Sequence, residues 1–157
     1  MSNSLLNIKV IHAIDFATKK HSFQFDDSGI PYVEHSIGVM KILSLVTNDI
    51  DILCAAVLHD TIEDTDTTYE EIVKEFGSKV ADLIMEVTHD GMEDNHYFPR
   101  LHTQQGIMIK FADRLNNISR MEPWAEDKRK KYLDKSHFWR DIPDYLMEES
   151  KLKDEVK

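Results

Sequence analysis

The chain has 157 residues, of which 41% are hydrophobic and 31% charged. This size and composition fit one globular domain with a substantial core and exclude a second domain. A formal charge of −10 at pH 7 would repel a nucleic-acid backbone. The single cysteine, Cys54, excludes a disulfide framework, indicates a reducing compartment and lies in an apolar run typical of a core.

No apolar stretch reaches the length that spans a bilayer, and the N-terminus lacks the basic flank and long apolar stretch of a signal peptide. The one basic run, 128–131, is typical of a solvated helix face. The sequence therefore predicts a cytoplasmic protein that binds neither membranes nor nucleic acid. We expect one domain over 1–147 and a polar C-terminal tail over 148–157.

The apolar spacing is helical almost throughout, and no convincing strand alternation appears. A first helix is predicted to end at His21, and the stretch 28–31 then breaks the chain before a second helix that reaches Leu45. Asn48 and Asp49 offer a cap for a helix running into His59.

Later boundaries follow from capping and breaking residues. Thr67 and Thr68 each precede a Glu by three residues, and Gly77 stops the helix that they begin. Ser78 is expected to cap the next helix. Its apolar stripe consists of Val80, Leu83, Ile84 and Val87.

The chain from residue 91 onward is predicted as a loop and two helices. The range 91–99 is interpreted as a polar loop, and the helix after it extends to Met121 before Pro123. A final, highly charged segment runs from Trp124 to about Leu146. Trp124 and Trp139 are interpreted as packing anchors that could also serve a homo-oligomer interface.

His59 and Asp60 are the first candidate metal ligands. Neighbours on a helix point about 100° apart, so both can reach one metal only where the helix bends or ends. Imidazole and carboxylate ligands together suit manganese, iron or zinc. His35 and Asp113 are further candidates, although a lone His at a helix start is more often a cap and a lone Asp within a helix usually faces water.

Glu63 and Asp64 lie about one helical turn beyond His59 and Asp60, so both pairs could face one cavity. A carboxylate beside metal-activated water can orient or deprotonate that water. The alternative without a catalytic role is an acidic surface pair at a helix C-terminus, where negative charge is unfavourable unless a cation is near.

These motifs resemble the HD-domain hydrolases, and within them the RelA/SpoT-type alarmone hydrolases, especially small single-domain members that also occur in animals. The resemblance extends from Ala17 to Asn117 and includes the stretches 56–70, 86–88 and 110–117. It implies an all-α fold, an HD-domain helical bundle with a single metal site in a central cavity. It also implies one Mn²⁺ per chain, with other divalent transition metals as alternatives. The implied ligands are His35, His59, Asp60 and Asp113, and the implied catalytic acids are Glu63 and Asp64.

Such hydrolases remove the 3′ pyrophosphate from guanosine tetra- or pentaphosphate, and some small members also take the 2′ phosphate from NADPH. The resemblance thus implies a manganese-dependent (p)ppGpp 3′-pyrophosphohydrolase acting on a small-molecule nucleotide. One alternative is a phosphohydrolase of another nucleotide, such as NADPH or a nucleotide monophosphate. A catalytically silent nucleotide-binding regulator is a second alternative, which the retained ligands and acids disfavour.

The predicted substrate contacts include one departure from the family. Ser28 and Asn117 match nucleotide-contacting positions, and Lys110 and Arg114 are candidate cations for phosphates. The family has an Arg-Lys pair directly before its Ser-Gly, whereas Asp26 and Asp27 stand there in this chain. One such charge reversal near a phosphate costs on the order of a kcal/mol or more.

Three explanations of Asp26 and Asp27 remain open. A carboxylate could accept hydrogen bonds from a guanine edge, or the substrate could carry less charge than an alarmone. Alternatively, the loop points to solvent, and Arg100 or Arg120 serves the phosphates.

Overall fold

A computed structural model describes residues 7–88 and 101–135 of the chain. These ranges contain eight helices: α1 (Ile8–Lys20), α2 (Val33–Ser44), α3 (Ile50–Leu58), α4 (Thr61–Asp64), α5 (Tyr69–Phe76), α6 (Ser78–Val87), α7 (Gln104–Ser119) and α8 (Glu126–Lys135). Within them, the β-pairing is an isolated antiparallel bridge between Phe25 and Pro31. The predicted all-α fold class is confirmed. No helix in these ranges has the length and apolarity needed to cross a membrane.

Several predicted boundaries agree with the structure. Asp49 caps α3 by accepting hydrogen bonds from the backbone N–H groups of Asp51 and Ile52. Thr68 caps α5 by accepting from the N–H of Glu71. Both caps satisfy N–H groups that a helix start leaves without partners.

Other boundaries differ. Ser78 was expected to cap α6, but it is the first helical residue, and Gly77 precedes it with a φ of 95° that few other residues adopt. Helix α7 ends at Ser119, two residues before the predicted end at Met121. The predicted loop 91–99, Arg100, Trp139 and the tail 148–157 lie outside the described residues.

Helix α3 is the centre of the core. Every residue from Ile52 to Leu58 is buried, and the helix packs against α1, α2 and α6. Its Ile, Leu and Val side chains contribute about 1.5–3 kcal/mol each when they are fully buried. Cys54 also belongs to this buried run, and burial raises the pKa of its thiol to about 12. The predicted core role of Cys54 is therefore confirmed, and this buried helix leads directly into His59.

A buried carboxylate holds the start of α7. Oε1 of Glu86 accepts hydrogen bonds from the backbone N–H groups of His102 and Thr103 at 2.8 and 2.7 Å, and the Thr103 hydroxyl donates to Oε2 at 2.8 Å. The positive end of the helix dipole at the start of α7 also stabilises this negative charge. Gly106 lies against this carboxylate, so a Cβ at that position would collide with it. Glu86 thereby determines where α7 begins.

We predict that Gly106→Ala destabilises the protein by about 1–3 kcal/mol, because the added methyl group displaces the Glu86 carboxylate from its donors. Urea unfolding followed by circular dichroism would measure this loss. Gln105→Ala, one residue earlier on the same helix, is the matched control and should change the unfolding free energy by less than about 0.5 kcal/mol. Equal effects of the two substitutions would contradict the prediction.

Candidate metal centre

Four side chains from three parts of the chain converge at the end of α3. His35 comes from the first turn of α2, His59 and Asp60 lie between α3 and α4, and Asp113 comes from α7. Nε2 of His35 lies 2.9 Å from Oδ1 of Asp113 and 3.8 Å from Oδ2 of Asp60. Nε2 of His59 lies 3.4 Å and 3.0 Å from the same two oxygens. All four sequence-predicted ligands are thus brought together.

The interruption of the helix between α3 and α4 allows the adjacent residues His59 and Asp60 to face the same cluster. Helix α3 ends at Leu58 with His59 as its C-cap, and Asp60 is the N-cap of α4. A continuous helix would point the two side chains about 100° apart. The bend expected from the sequence therefore lies between the two residues that need it.

Hydrogen bonds determine which nitrogen of each imidazole faces the cluster. Nδ1 of His59 donates to the carbonyl oxygen of Ala56 at 2.7 Å, and Nδ1 of His35 donates to Oδ1 of Asn116 at 2.7 Å. Both partners can only accept, so each Nδ1 carries the proton. Each Nε2 therefore faces the two carboxylates and is the nitrogen available to a metal ion. Nε2 of His59 is buried and makes no hydrogen bond in the described structure.

This donor set fits a divalent metal ion. Two donors bound to one ion at about 2.1 Å lie roughly 3.0–3.4 Å apart, and the separations here run from 2.9 to 3.8 Å. Two neutral imidazoles and two carboxylates neutralise a charge of +2 and favour a transition metal over magnesium or calcium.

The electrostatics also favour positive charge at the centre of the cluster. Burial of the His59 imidazole opposes its protonation, but the carboxylates of Asp60 and Asp113 outweigh burial and raise the pKa of His59 well above its usual range. Burial likewise opposes ionisation of Asp60, yet the neighbouring His59 holds the pKa of that carboxyl below its usual range. The cluster therefore stabilises a cation that it surrounds.

Two further residues of the site escaped sequence reasoning. The Tyr32 hydroxyl donates to Oδ2 of Asp60 at 2.7 Å, and burial with the nearby Asp60 charge raises the pKa of this phenol. Asn116 orients His35, and its amide nitrogen packs so closely on Gly38 that a Cβ there would collide with it. The signal for Asn116 was its position three residues after Asp113, which is one helical turn.

Glu63 and Asp64 occupy the short helix α4 beside the cluster, and both side chains reach solvent. Asp60, Glu63 and Asp64 each offer an oxygen within 4.8 Å of the others. Partial desolvation and the charges of Asp60 and Glu63 raise the pKa of the Asp64 carboxyl to about 7. Asp64 can therefore gain or lose a proton at neutral pH.

The predicted substrate contacts differ in their distance from the cluster and in their burial. Nζ of Lys110 lies 3.5 Å from Oδ2 of Asp113, and Lys110 is nearly buried. The buried Arg114 guanidinium lies over the Tyr132 ring at 4.6 Å. Nδ2 of Asn117 is 3.3 Å from Oδ1 of Asp113, whereas Ser28 is exposed in the α1–α2 loop.

Asp26 and Asp27 each pair with a cation from the C-terminal part of the described chain. Oδ2 of Asp26 accepts from Nη1 of Arg120 at 2.9 Å, and Oδ2 of Asp27 accepts from Nζ of Lys128 at 2.6 Å. Asp26 is largely shielded from solvent and Asp27 is half-exposed. One explanation from the sequence had this loop pointing to solvent and Arg120 serving the phosphates. The structure differs from it at Asp26, because that side chain is shielded and pairs with Arg120.

A family model described as HD domain matches residues 13–97. The chain is 37% identical over 142 residues to the guanosine-3′,5′-bis(diphosphate) 3′-pyrophosphohydrolase MESH1 of Homo sapiens, covering 80% of this chain and 79% of that protein. This chain belongs to the HD-domain family and, within it, to the MESH1 group.

Two further relatives support this membership. The chain is 38% identical over 133 residues to the guanosine-3′,5′-bis(diphosphate) 3′-pyrophosphohydrolase of Aquifex aeolicus, but it spans only 19% of that protein. It also matches the solved structure of a metazoan ortholog of SpoT that hydrolyses ppGpp, with a TM-score of 0.75 and 32% sequence identity. That match covers 86% of this chain and 85% of the other. HD-domain membership implies a divalent metal, for which His35, His59 and Asp113 form a possible site.

We predict that Asn116→Leu weakens divalent metal binding by about ten- to a hundredfold, because His35 loses the acceptor that fixes its tautomer. Isothermal titration calorimetry with Mn²⁺ would measure the change. Asn116→Asp keeps an acceptor for Nδ1 and should lose less than about threefold. A Leu variant with wild-type affinity would show that His35 needs no such support.

We predict that metal binding releases protons and weakens as the pH falls. In the metal-free protein, the raised pKa values of His59 and Asp64 keep protons on both groups near neutrality, and a divalent ion competes with those protons. The apparent affinity should fall about tenfold per pH unit for each proton released.

Calorimetry at about pH 6, 7 and 8 in two buffers of different ionisation enthalpy would count the protons. Asp64→Asn should release fewer protons than the wild type near pH 7. Affinity that does not depend on pH would contradict this prediction.

Proposed function

We propose that this chain is a manganese-dependent guanosine-3′,5′-bis(diphosphate) 3′-pyrophosphohydrolase that acts in the cytoplasm. The observation that carries the proposal is the convergence of His35, His59, Asp60 and Asp113 beside two acids, Glu63 and Asp64. The relatives that share most of the chain's length carry this activity in their names. The solved relative supports the same reaction.

The four converging residues are proposed to hold one Mn²⁺. Their mixture of imidazole and carboxylate donors suits manganese, and iron and zinc remain compatible with the same set. When bound, such an ion lowers the pKa of coordinated water and polarises a phosphoryl oxygen. Tyr32 and Asn116 keep Asp60 and His35 in the required orientations through their hydrogen bonds.

Glu63 and Asp64 are proposed to accept the proton of the attacking water as general bases. In hydrolysis, the water oxygen forms a bond to the phosphorus that is attached to the 3′ oxygen. The bond between that phosphorus and the 3′ oxygen breaks, and the products are GDP and pyrophosphate. One proton leaves the water, and the departing 3′ oxygen takes up a proton. A carboxylate beside the attacking water, as proposed for Asp64, can accept the first proton and return it to the departing oxygen.

The nucleotide is proposed to bind along α7 and the α1–α2 loop. Lys110 places positive charge beside Asp113, and Asn117 offers its carboxamide on the same helix face. The buried Arg114 guanidinium lies nearby over the Tyr132 ring. Ser28 adds a hydroxyl from the loop. Asp26 and Asp27 contribute less negative charge to the cavity than their number implies, because Arg120 and Lys128 pair with them.

We expect the purified protein with Mn²⁺ to convert guanosine tetraphosphate to GDP and pyrophosphate, as followed by ion-exchange chromatography. The same assay should include NADPH and nucleoside mono- and triphosphates. Asp113→Ala should lose Mn²⁺ binding and turnover together. Exclusive turnover of another nucleotide would overturn the substrate assignment. Nucleotide binding without any turnover would overturn the assignment as an enzyme.

We expect Asp64→Asn to lower kcat by about 10²- to 10⁴-fold, because the amide cannot accept the proton. Mn²⁺ affinity measured by calorimetry near pH 8 should change by less than about threefold. Glu70→Gln removes an exposed carboxylate from α5 and is the matched control, with kcat near that of the wild type. Full activity of Asp64→Asn would remove this residue from the proposed mechanism.

A further inference from the structure

Asp26 uses both of its carboxylate oxygens. Oδ1 accepts hydrogen bonds from the backbone N–H groups of Ser28 and Ile30, at 2.8 and 3.0 Å, and so closes the turn in the α1–α2 loop. Oδ2 accepts from Nη1 of Arg120 at 2.9 Å. The side chains of Asp26 and Arg120 are 14% and 23% exposed. This pair therefore joins the loop to the end of α7 in a partly dry environment.

Arg120 also determines which way the carboxamide of Asn117 faces. Its Nε and Nη2 atoms donate to Oδ1 of Asn117 at 3.3 and 3.2 Å. A guanidinium has only donors, so the atom that meets it must be the amide oxygen. Nδ2 of Asn117 then points the other way, 3.3 Å from Oδ1 of Asp113 and 2.8 Å from the Tyr132 hydroxyl.

We propose that Asp26 and Arg120 are positioning residues that hold the Asn117 carboxamide with its N–H₂ group toward the metal centre and so set the affinity for the nucleotide. This inference rests on the proposed function for the role of Asn117 as a substrate contact. Without Arg120, Oδ1 of Asn117 loses two donors, so the carboxamide can rotate away from its position beside Asp113. Without Asp26, the guanidinium loses its anchor on the loop.

The second acid of the loop has no comparable role. Asp27 and Lys128 are 49% and 52% exposed, and within the described residues their ion pair is not hydrogen-bonded to α7. Solvent screens an exposed pair of this kind, and holding two mobile side chains together offsets most of its attraction. The two adjacent acids thus differ in function, because only Asp26 is connected to Asn117.

Asp26→Asn tests the role of the pair without opening the turn. The substitution keeps Oδ1 for Ser28 and Ile30 but replaces the acceptor that faces Arg120 with a donor. We expect KM for guanosine tetraphosphate to rise about tenfold, with kcat within about twofold of the wild type. Arg120→Met should show the same split. The double variant should be no worse than the more affected single variant, because both act through one contact.

Asp15→Asn is the matched control. Asp15 pairs with Lys19 on the exposed face of α1 at 2.8 Å. The KM of the Asp15→Asn variant should therefore stay within about twofold of the wild type. A KM that stays unchanged in Asp26→Asn and Arg120→Met, even with lowered stability, overturns the proposal because the pair is then only structural.

A second measurement separates this inference from the proposed function. The side-chain amide signal of Asn117 in a ¹⁵N-labelled protein reports its hydrogen bonds whether or not any nucleotide is hydrolysed. We expect that signal to shift in Asp26→Asn and Arg120→Met but not in Asp15→Asn. An unshifted signal overturns the positioning role. If the wild-type protein does not hydrolyse guanosine tetraphosphate, the proposed function fails while this measurement still tests the pair.

Discussion

The end of a buried helix is the constraint on which the candidate site depends. Residues 52–58 are surrounded by α1, α2 and α6, so α3 cannot shift without disturbing the core. Its last turn delivers His59, whose Nδ1 is held by the carbonyl of Ala56, and the chain bends before Asp60. Rigid packing on one side and a bend on the other bring two adjacent side chains to one point.

Most helices and all four candidate ligands were predictable from the sequence. Caps such as Asp49 and Thr68 act through local hydrogen bonds, so their positions were visible in residue order alone. The ligand set came from the resemblance, and the structure brings those four side chains together. Ser78 was misjudged because Gly77 provides the positive φ at the boundary and makes a side-chain cap unnecessary.

Contacts across long sequence separations explain what the sequence could not show. Arg120 and Asp26 are 94 residues apart, and Asn116 and His35 are 81 residues apart. Neither pairing follows from helical periodicity, which relates only residues on one helix. The same holds for Glu86, whose carboxylate meets the start of α7 across a separation of 17 residues at Thr103. The charge reversal at 26 and 27 therefore counted against phosphate binding until the partners of both acids were known.

The ligands of the candidate centre span a long stretch of chain, since His35 and Asp113 are 78 residues apart. A shared ion would act as a reversible cross-link between α2, the α3–α4 junction and α7, in a chain whose single cysteine cannot form an internal disulfide. Closing so large a loop removes much of the conformational freedom of the unfolded chain. Any ligand that binds only the folded state stabilises it. Metal supply would then govern how long the folded protein survives proteolysis, and not only how fast it works.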